Sequence, residues 1–210
     1  MRSPLCWAFL VTMRKDFDPG ELSPGAFYHL MTATVVPRPI AWVSSTSRAG
    51  VDNLAPHSFF TVASAAPAVL QFTSVGRKDT LRNVEATGEF VVNLAPEPLA
   101  EQINVTGTDF PPEISEFDRA GLTREASRKV RPPRVAESPV AFECELHSTV
   151  GFGRSTVVFG RVVHLSVRAD VLDGDHPLIE RLRPLSRLGR DEWGTVGDVR
   201  ELARPVYEKQ

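Results

Sequence analysis

From Ile40 to Val75 the chain writes three β-rich runs in close succession, and the middle one contains a proline. Ile40-Ala41-Trp42-Val43-Ser44-Ser45-Thr46 favours extended backbone, Ser47-Arg48-Ala49-Gly50 reads as a hairpin turn, and Val51 to Ser64 reads as a second strand. Pro56 has no N–H for a ladder, so the second run is expected to bulge or break there. A bulge re-aims side chains and frees backbone groups, which suits a ligand-binding edge. Pro67 precedes the third run, Ala68 to Val75. Strands in sequence joined by short turns predict an antiparallel sheet.

The rest of the chain repeats this grammar with short helical interruptions. Asp79 to Thr87 predicts a helix with Asp79 as N-cap and Gly88 as its stop. Glu89 to Leu94 returns as a strand, and Pro98 to Val105 predicts a short helix entered through proline. Residues 106 to 139 form a Pro-rich excursion with one helical turn, read as a solvated loop. Its cations Arg124, Arg128, Lys129, Arg131 and Arg134 offer an alternative use as a dock for an anionic substrate group. Val140 to Val150 and Ser155 to Val167 predict two long strands around Gly151-Phe152-Gly153-Arg154. Alternation puts Phe142, Cys144 and Leu146 in the core, and Ala141, Glu143, Glu145 and His147 outward or toward a partner subunit. A helical turn or two is expected at His176 to Leu182. The fold class is therefore mainly β with short helices, a small antiparallel β-barrel.

Composition narrows the function. At 210 residues and 42% apolar, the chain is long enough for a substantial core, and its net charge of -2 gives no general attraction to nucleic acid or anionic lipid. No run approaches the roughly 18 apolar residues of a membrane span. Cys6 and Cys144 stand far apart, which suggests neither a zinc site nor a redox dithiol and fits a cytoplasmic address. No metal site is expected. Residues 1–16 are expected to be an N-terminal arm, with Met13-Arg14-Lys15-Asp16-Phe17 reading as a natural beginning. Residues 17–195 form the domain, and 196–210 a tail.

One stretch has the ingredients for holding phosphate. Ser58, Arg77, Lys78, Thr80 and the first turn after Asp79 supply hydroxyls, cations and unpaired helix N–H groups, so the ligand is expected to be a phosphorylated cofactor. Nearby, a kinked strand at Asn53-Leu54-Ala55-Pro56-His57 can give a flat apolar slot with a few donors, where small Ala55 and rigid Pro56 let a ring approach the backbone. Each residue also has a plain structural use: Ser58 and Thr80 as caps, Arg77 and Lys78 as surface charges, His57 as a packed ring.

Four segments carry a family resemblance: Pro37-Arg38-Pro39-Ile40-Ala41-Trp42-Val43-Ser44, Asn53 to Phe60, Gly76-Arg77-Lys78-Asp79-Thr80-Leu81-Arg82-Asn83, and Phe90-Val91-Val92-Asn93. In order and spacing they resemble the flavin reductase-like, FMN-binding split-barrel family, over residues 17 to 195. The resemblance implies a split β-barrel homodimer with one FMN (FAD the alternative) per subunit, in a groove at or near the dimer interface. It implies Asn53, Ala55, His57 and Ser58 as flavin contacts, with Pro56 beside them, and Arg77, Lys78 and Thr80 as phosphate contacts. Arg38 is assigned to the cofactor edge or to the nucleotide substrate. His147 either borders the partner's flavin or is simply exposed. NAD(P)H would be a transient substrate, giving hydride to flavin N5, with an oxygenase or another electron acceptor downstream. The flavin would carry the chemistry, so no catalytic side chain is assigned.

The sequence departs from the family near its end. Where many members carry Arg-Leu-Gly-Gly-x-x-Tyr, this chain has Arg187-Leu188-Gly189-Arg190-Asp191-Glu192-Trp193, with Arg190 where positive φ is tolerated and Trp193 for the tyrosine. His57 also stands where another aromatic is frequent. Two other readings remain at this level: an FMN electron carrier that never handles nicotinamide, and a barrel that binds oligosaccharide or nucleic acid without flavin.

Overall fold

Strand β2 (Ala41–Thr46) is covered on both faces, and the architecture follows from that. The computed structural model describes residues 14–207; Cys6, most of the predicted arm and the end of the tail lie outside them. Before β2 come α1 (Pro24–Thr34) and β1 (Arg38–Pro39). After it come β3 (Asp52–His57), β4 (Phe60–Ala65), β5 (Ala68–Val75), α2 (Asp79–Thr87) and β6 (Glu89–Leu94). The excursion contains α3 (Ala100–Val105), α4 (Glu116–Ala120), β7 (Arg124–Glu125) and β8 (Arg134–Val135). The long hairpin is β9 (Val140–Phe152) and β10 (Ser155–Val167). The chain closes with β11 (Leu172–Asp173), β12 (His176–Pro177), α5 (Ile179–Leu182), β13 (Ser186–Arg187) and β14 (Trp193–Gly194).

The main sheet has seven antiparallel strands in the order β3-β2-β6-β9-β10-β5-β4. Its two edge strands, β3 and β4, are consecutive in sequence, so the chain crosses the opening of a split barrel between His57 and Phe60. This corrects the expected single strand from Val51 to Ser64. Pro56 neither bulges nor breaks β3, but lies in register opposite Trp42. A proline fits there because β3 is an edge. The break comes at Ser58 and Phe59, where the Phe59 carbonyl accepts from Thr73 N–H at 2.9 Å.

Inside the barrel, Val43, Phe72, Val84, Phe90, Cys144 and Val158 form one apolar cluster. Gly160 is needed there, because a Cβ would lie 2.2 Å from Phe90 Cζ. On the other face of β2, Trp42 and Ile40 pack with Leu54, Ile103, Phe117 and Val135. Residues 106–139 are thus not a solvated loop: Phe117, Leu122, Val130 and Val135 are buried. The excursion also covers the face of β9 that alternation turned outward. Ala141 and Glu143 are buried, and only part of that set, including His147, reaches solvent. The Glu143 carboxylate accepts from the N–H groups of Arg128 (2.9 Å) and Lys129 (2.6 Å).

That arrangement also removes most of the proposed cationic dock. Arg124 pairs with Asp52 and Asp118, Arg131 with Glu89, and buried Arg134 with Glu125 and Glu143. In α2, Lys78 is the N-cap and Asp79 the first helical residue, so the cap lies one position earlier than predicted, while Gly88 ends the helix at φ 76° as expected. No helix among the described residues is long and apolar enough to cross a membrane, and no cluster of metal-ligating side chains occurs among them.

Candidate functional site

A groove of about 410 Å³ opens where β3 leaves the sheet and α2 begins. Its size falls in the range of small-molecule and cofactor sites. Asn53, Ala55, Pro56, His57 and Ser58 line one side; Lys78, Asp79 and Thr80 close one end; residues 106–110 face them. The topology makes this meeting possible, since edge strand β3 comes into contact with β5, the strand that leads into α2. All the sequence-predicted site residues except Arg38 and Arg77 therefore line one cavity.

Those two exceptions have clear physical causes. Arg38 is buried, and its guanidinium donates to the carbonyls of Thr32, Val35 (3.1 Å) and Leu188 (2.6 Å). It clamps the C-terminal segment to the end of α1. Arg77 turns outward and pairs with Glu85 at 2.7 Å. Lys78 does reach the groove, where its ammonium meets Asp109 at 2.7 Å. Both partners are well exposed, so that pair contributes little and exchanges readily.

The start of α2 is held open by a buried polar web. Thr80 donates its hydroxyl proton to Asn53 Oδ1 at 2.9 Å, and Asn53 Nδ2 donates to Glu116 Oε2 at 2.9 Å. The same oxygen accepts from Leu54 N–H at 2.9 Å. Thr80 is therefore committed through its hydroxyl, and what it can give an anion is its backbone N–H. No side chain caps α2, which leaves the first-turn amides without the usual partner. An uncapped helix start beside a lysine attracts an anion.

His57 contributes a neutral surface. Burial pushes its pKa down to about 4; the Lys78 charge adds to that, and a hydrogen bond with the Thr73 backbone opposes it. The ring packs against Phe72 with centroids 4.7 Å apart, and Nε2 has no partner. Cys144, by contrast, sits deep in the barrel, where burial raises its pKa to about 12 and leaves it unreactive.

Sequence reasoning missed Glu116, Tyr28 and the 106–110 wall. Nothing local marks Glu116, a single acid in a Pro-rich run. The wall is fixed by Trp42, whose Nε1 donates to Thr106 Oγ1 at 2.9 Å. Gly107 then passes close to Pro56; a Cβ there would meet Asn104 O at 3.2 Å and Pro56 Cγ at 3.6 Å. Beyond that neck lies a second cavity of about 480 Å³, reached by Arg187, Asp191 and Trp193. Arg190 adopts φ 49°, so the segment takes the left-handed conformation there although the residue is not glycine.

Comparison with known proteins sets this geometry in context. The family model described as "Flavin reductase like domain" matches residues 32–184. A protein of Aquifex aeolicus is 42% identical over 180 residues, covering 83% of this chain and 92% of that one. Among solved structures, nitrilotriacetate monooxygenase component B from Bacillus cereus superposes with a TM-score of 0.86 at 32% identity, covering 90% of this chain and 99% of that one. The 2-nitrobenzoate 2-nitroreductase NbaA of Pseudomonas fluorescens gives 0.86 at 30% identity, covering 93% and 99%.

Proposed function

The chain belongs to the flavin reductase-like domain family, and from that premise we propose that it binds FMN and reduces it with NAD(P)H. The observation that carries this reading is one groove joining an apolar edge at Ala55–Pro56 to an uncapped helix start at Lys78–Thr80. A flavin mononucleotide has those two ends, a flat ring and a phosphate. When bound, its ring would supply the redox chemistry, as acceptor of the hydride that a reduced nicotinamide would give up, with the accompanying proton drawn from solvent.

The chain's own residues bind and orient. Asn53, Ala55, Pro56, His57 and Ser58 hold the ring end, with His57 neutral at physiological pH. Lys78 and the amides of Asp79 and Thr80 hold the phosphate, and Lys78 exchanges Asp109 for it. Glu116 fixes Asn53 and through it Thr80, so the two ends stay at a set separation. Residues 106–110 shield the groove from the opposite side. A homodimer, and delivery of electrons to an oxygenase or other acceptor, belong to the same reading.

Titration with FMN, followed by visible absorption and fluorescence quenching, tests the reading directly. Stoichiometric binding and FMN-dependent oxidation of NADH or NADPH are expected. Binding without nicotinamide oxidation would make the protein an electron carrier. A preparation that binds no FMN would overturn the proposal.

A further inference from the structure

The cations around the start of α2 are each matched by an acid of this same chain. Arg77 pairs with Glu85, Arg82 with Asp79, and Lys78 with Asp109. Glu85 and Asp79 belong to α2 itself and stay with it. Asp109 comes from the 106–110 wall across the groove, 31 residues further along the chain. That wall is built so that its carboxylate can leave. Trp42 fixes the near end through Thr106 at 2.9 Å, and beyond it the backbone bonds are local: Phe110 N–H donates to the Thr108 carbonyl at 3.0 Å, and Ile114 N–H to that of Pro111 at 2.9 Å. The Asp109 side chain is 80% exposed, and Lys78 is its one ion-pair partner among the described residues. Turning it into solvent therefore breaks one exposed pair and no buried bond.

We infer that Asp109 is an internal competitor for the ligand's phosphate: it holds Lys78 until a phosphorylated flavin enters, then gives the ammonium up and turns to solvent. The inference rests on the FMN reading. A phosphate monoester brings about two charges and several strong acceptor oxygens, where Asp109 brings a single charge. The uncapped amides of α2 add donors on the phosphate's side of the exchange. The phosphate therefore wins, but at the cost of the pair it displaces. A flavin without a phosphate has nothing to offer Lys78 and leaves the pair intact. Asp109 thus weakens the hold on the phosphorylated ligand alone, which suits a flavin that exchanges rather than one held permanently.

Fluorescence titrations of the wild type, Asp109→Asn, Lys78→Met and the double variant, with FMN and with riboflavin in parallel, test this. Asp109→Asn should bind FMN about fivefold more tightly, the size of one exposed pair, with riboflavin affinity unchanged. Lys78→Met should weaken FMN, and adding Asp109→Asn to it should then gain little, since no ammonium is left to compete for. Asp109→Ala provides a second removal of the carboxylate, and unfolding midpoints check that each variant is folded. Equal FMN affinity with and without the Asp109 carboxylate overturns the inference and leaves the FMN reading standing. So does an equal gain for riboflavin, or a full gain kept in the absence of Lys78, which would mark simple repulsion between Asp109 and the phosphate. If no form binds either flavin, the FMN reading falls and the inference with it.

Discussion

Two buried glutamates tie the same excursion to the same sheet, and they do opposite jobs. Glu143 points from β9 into the excursion, where it accepts from the backbone of Arg128 and Lys129 and lies 3.8 Å from buried Arg134. Glu116 points from the excursion back to edge strand β3, where it holds Asn53 and Leu54 on the wall of the groove. The first anchor fixes a cover; the second orders a site. Burial alone therefore does not identify a functional acid. What separates them is whether the groups they hold end at a cavity.

The largest effect is expected at the structural anchor. Glu143→Ala leaves loop amides and Arg134 buried without their acceptor and should cost about 3–5 kcal/mol in urea unfolding. FMN affinity of the protein that remains folded should be unchanged; a large loss of affinity would merge the two roles. Next is His57, whose folded-state pKa of about 4 lies below the ordinary 6.5. The unfolded chain takes up a proton that the buried ring refuses, so stability is fully present above pH 6.5 and declines as pH falls toward 4. The loss is bounded at about 3 kcal/mol. His57→Phe should flatten that profile, and an unaltered slope would remove His57 from the account.

The site anchor should behave differently. Glu116→Ala strands the Leu54 N–H and frees the Asn53 amide, costing about 2 kcal/mol of stability and about tenfold in FMN affinity. Glu116→Gln should restore most of both in parallel FMN titrations. If alanine affects stability alone, Glu116 is a second Glu143. The smallest effect is expected at Arg77, whose exposed pair with Glu85 is worth no more than about 0.5 kcal/mol. Arg77→Ala should leave FMN affinity nearly unchanged, and a strong loss would show that the side chain swings into the groove.

Most strands and both ends of the groove were legible because their signals are local. The Gly88 stop, the proline entry to the 97–105 region and the Ser47–Gly50 turn depend on neighbouring residues only. Glu116 and Glu143 were not legible, because an acid's partners are distant in sequence. Alternation placed Glu143 outward by assuming that one face of β9 meets water, and the excursion covers that face.

By itself, then, the sequence determined the order of strands, the helix after Lys78 and the residue types that could hold a phosphorylated ring. Tertiary structure decided which of those residues face the same space. It withdrew Arg38 into a carbonyl clamp, turned Arg77 to Glu85 and brought in Glu116 from 63 residues away. The physical reason is that backbone preference acts over a few residues, whereas the partner of a buried charge is chosen by how the sheet closes.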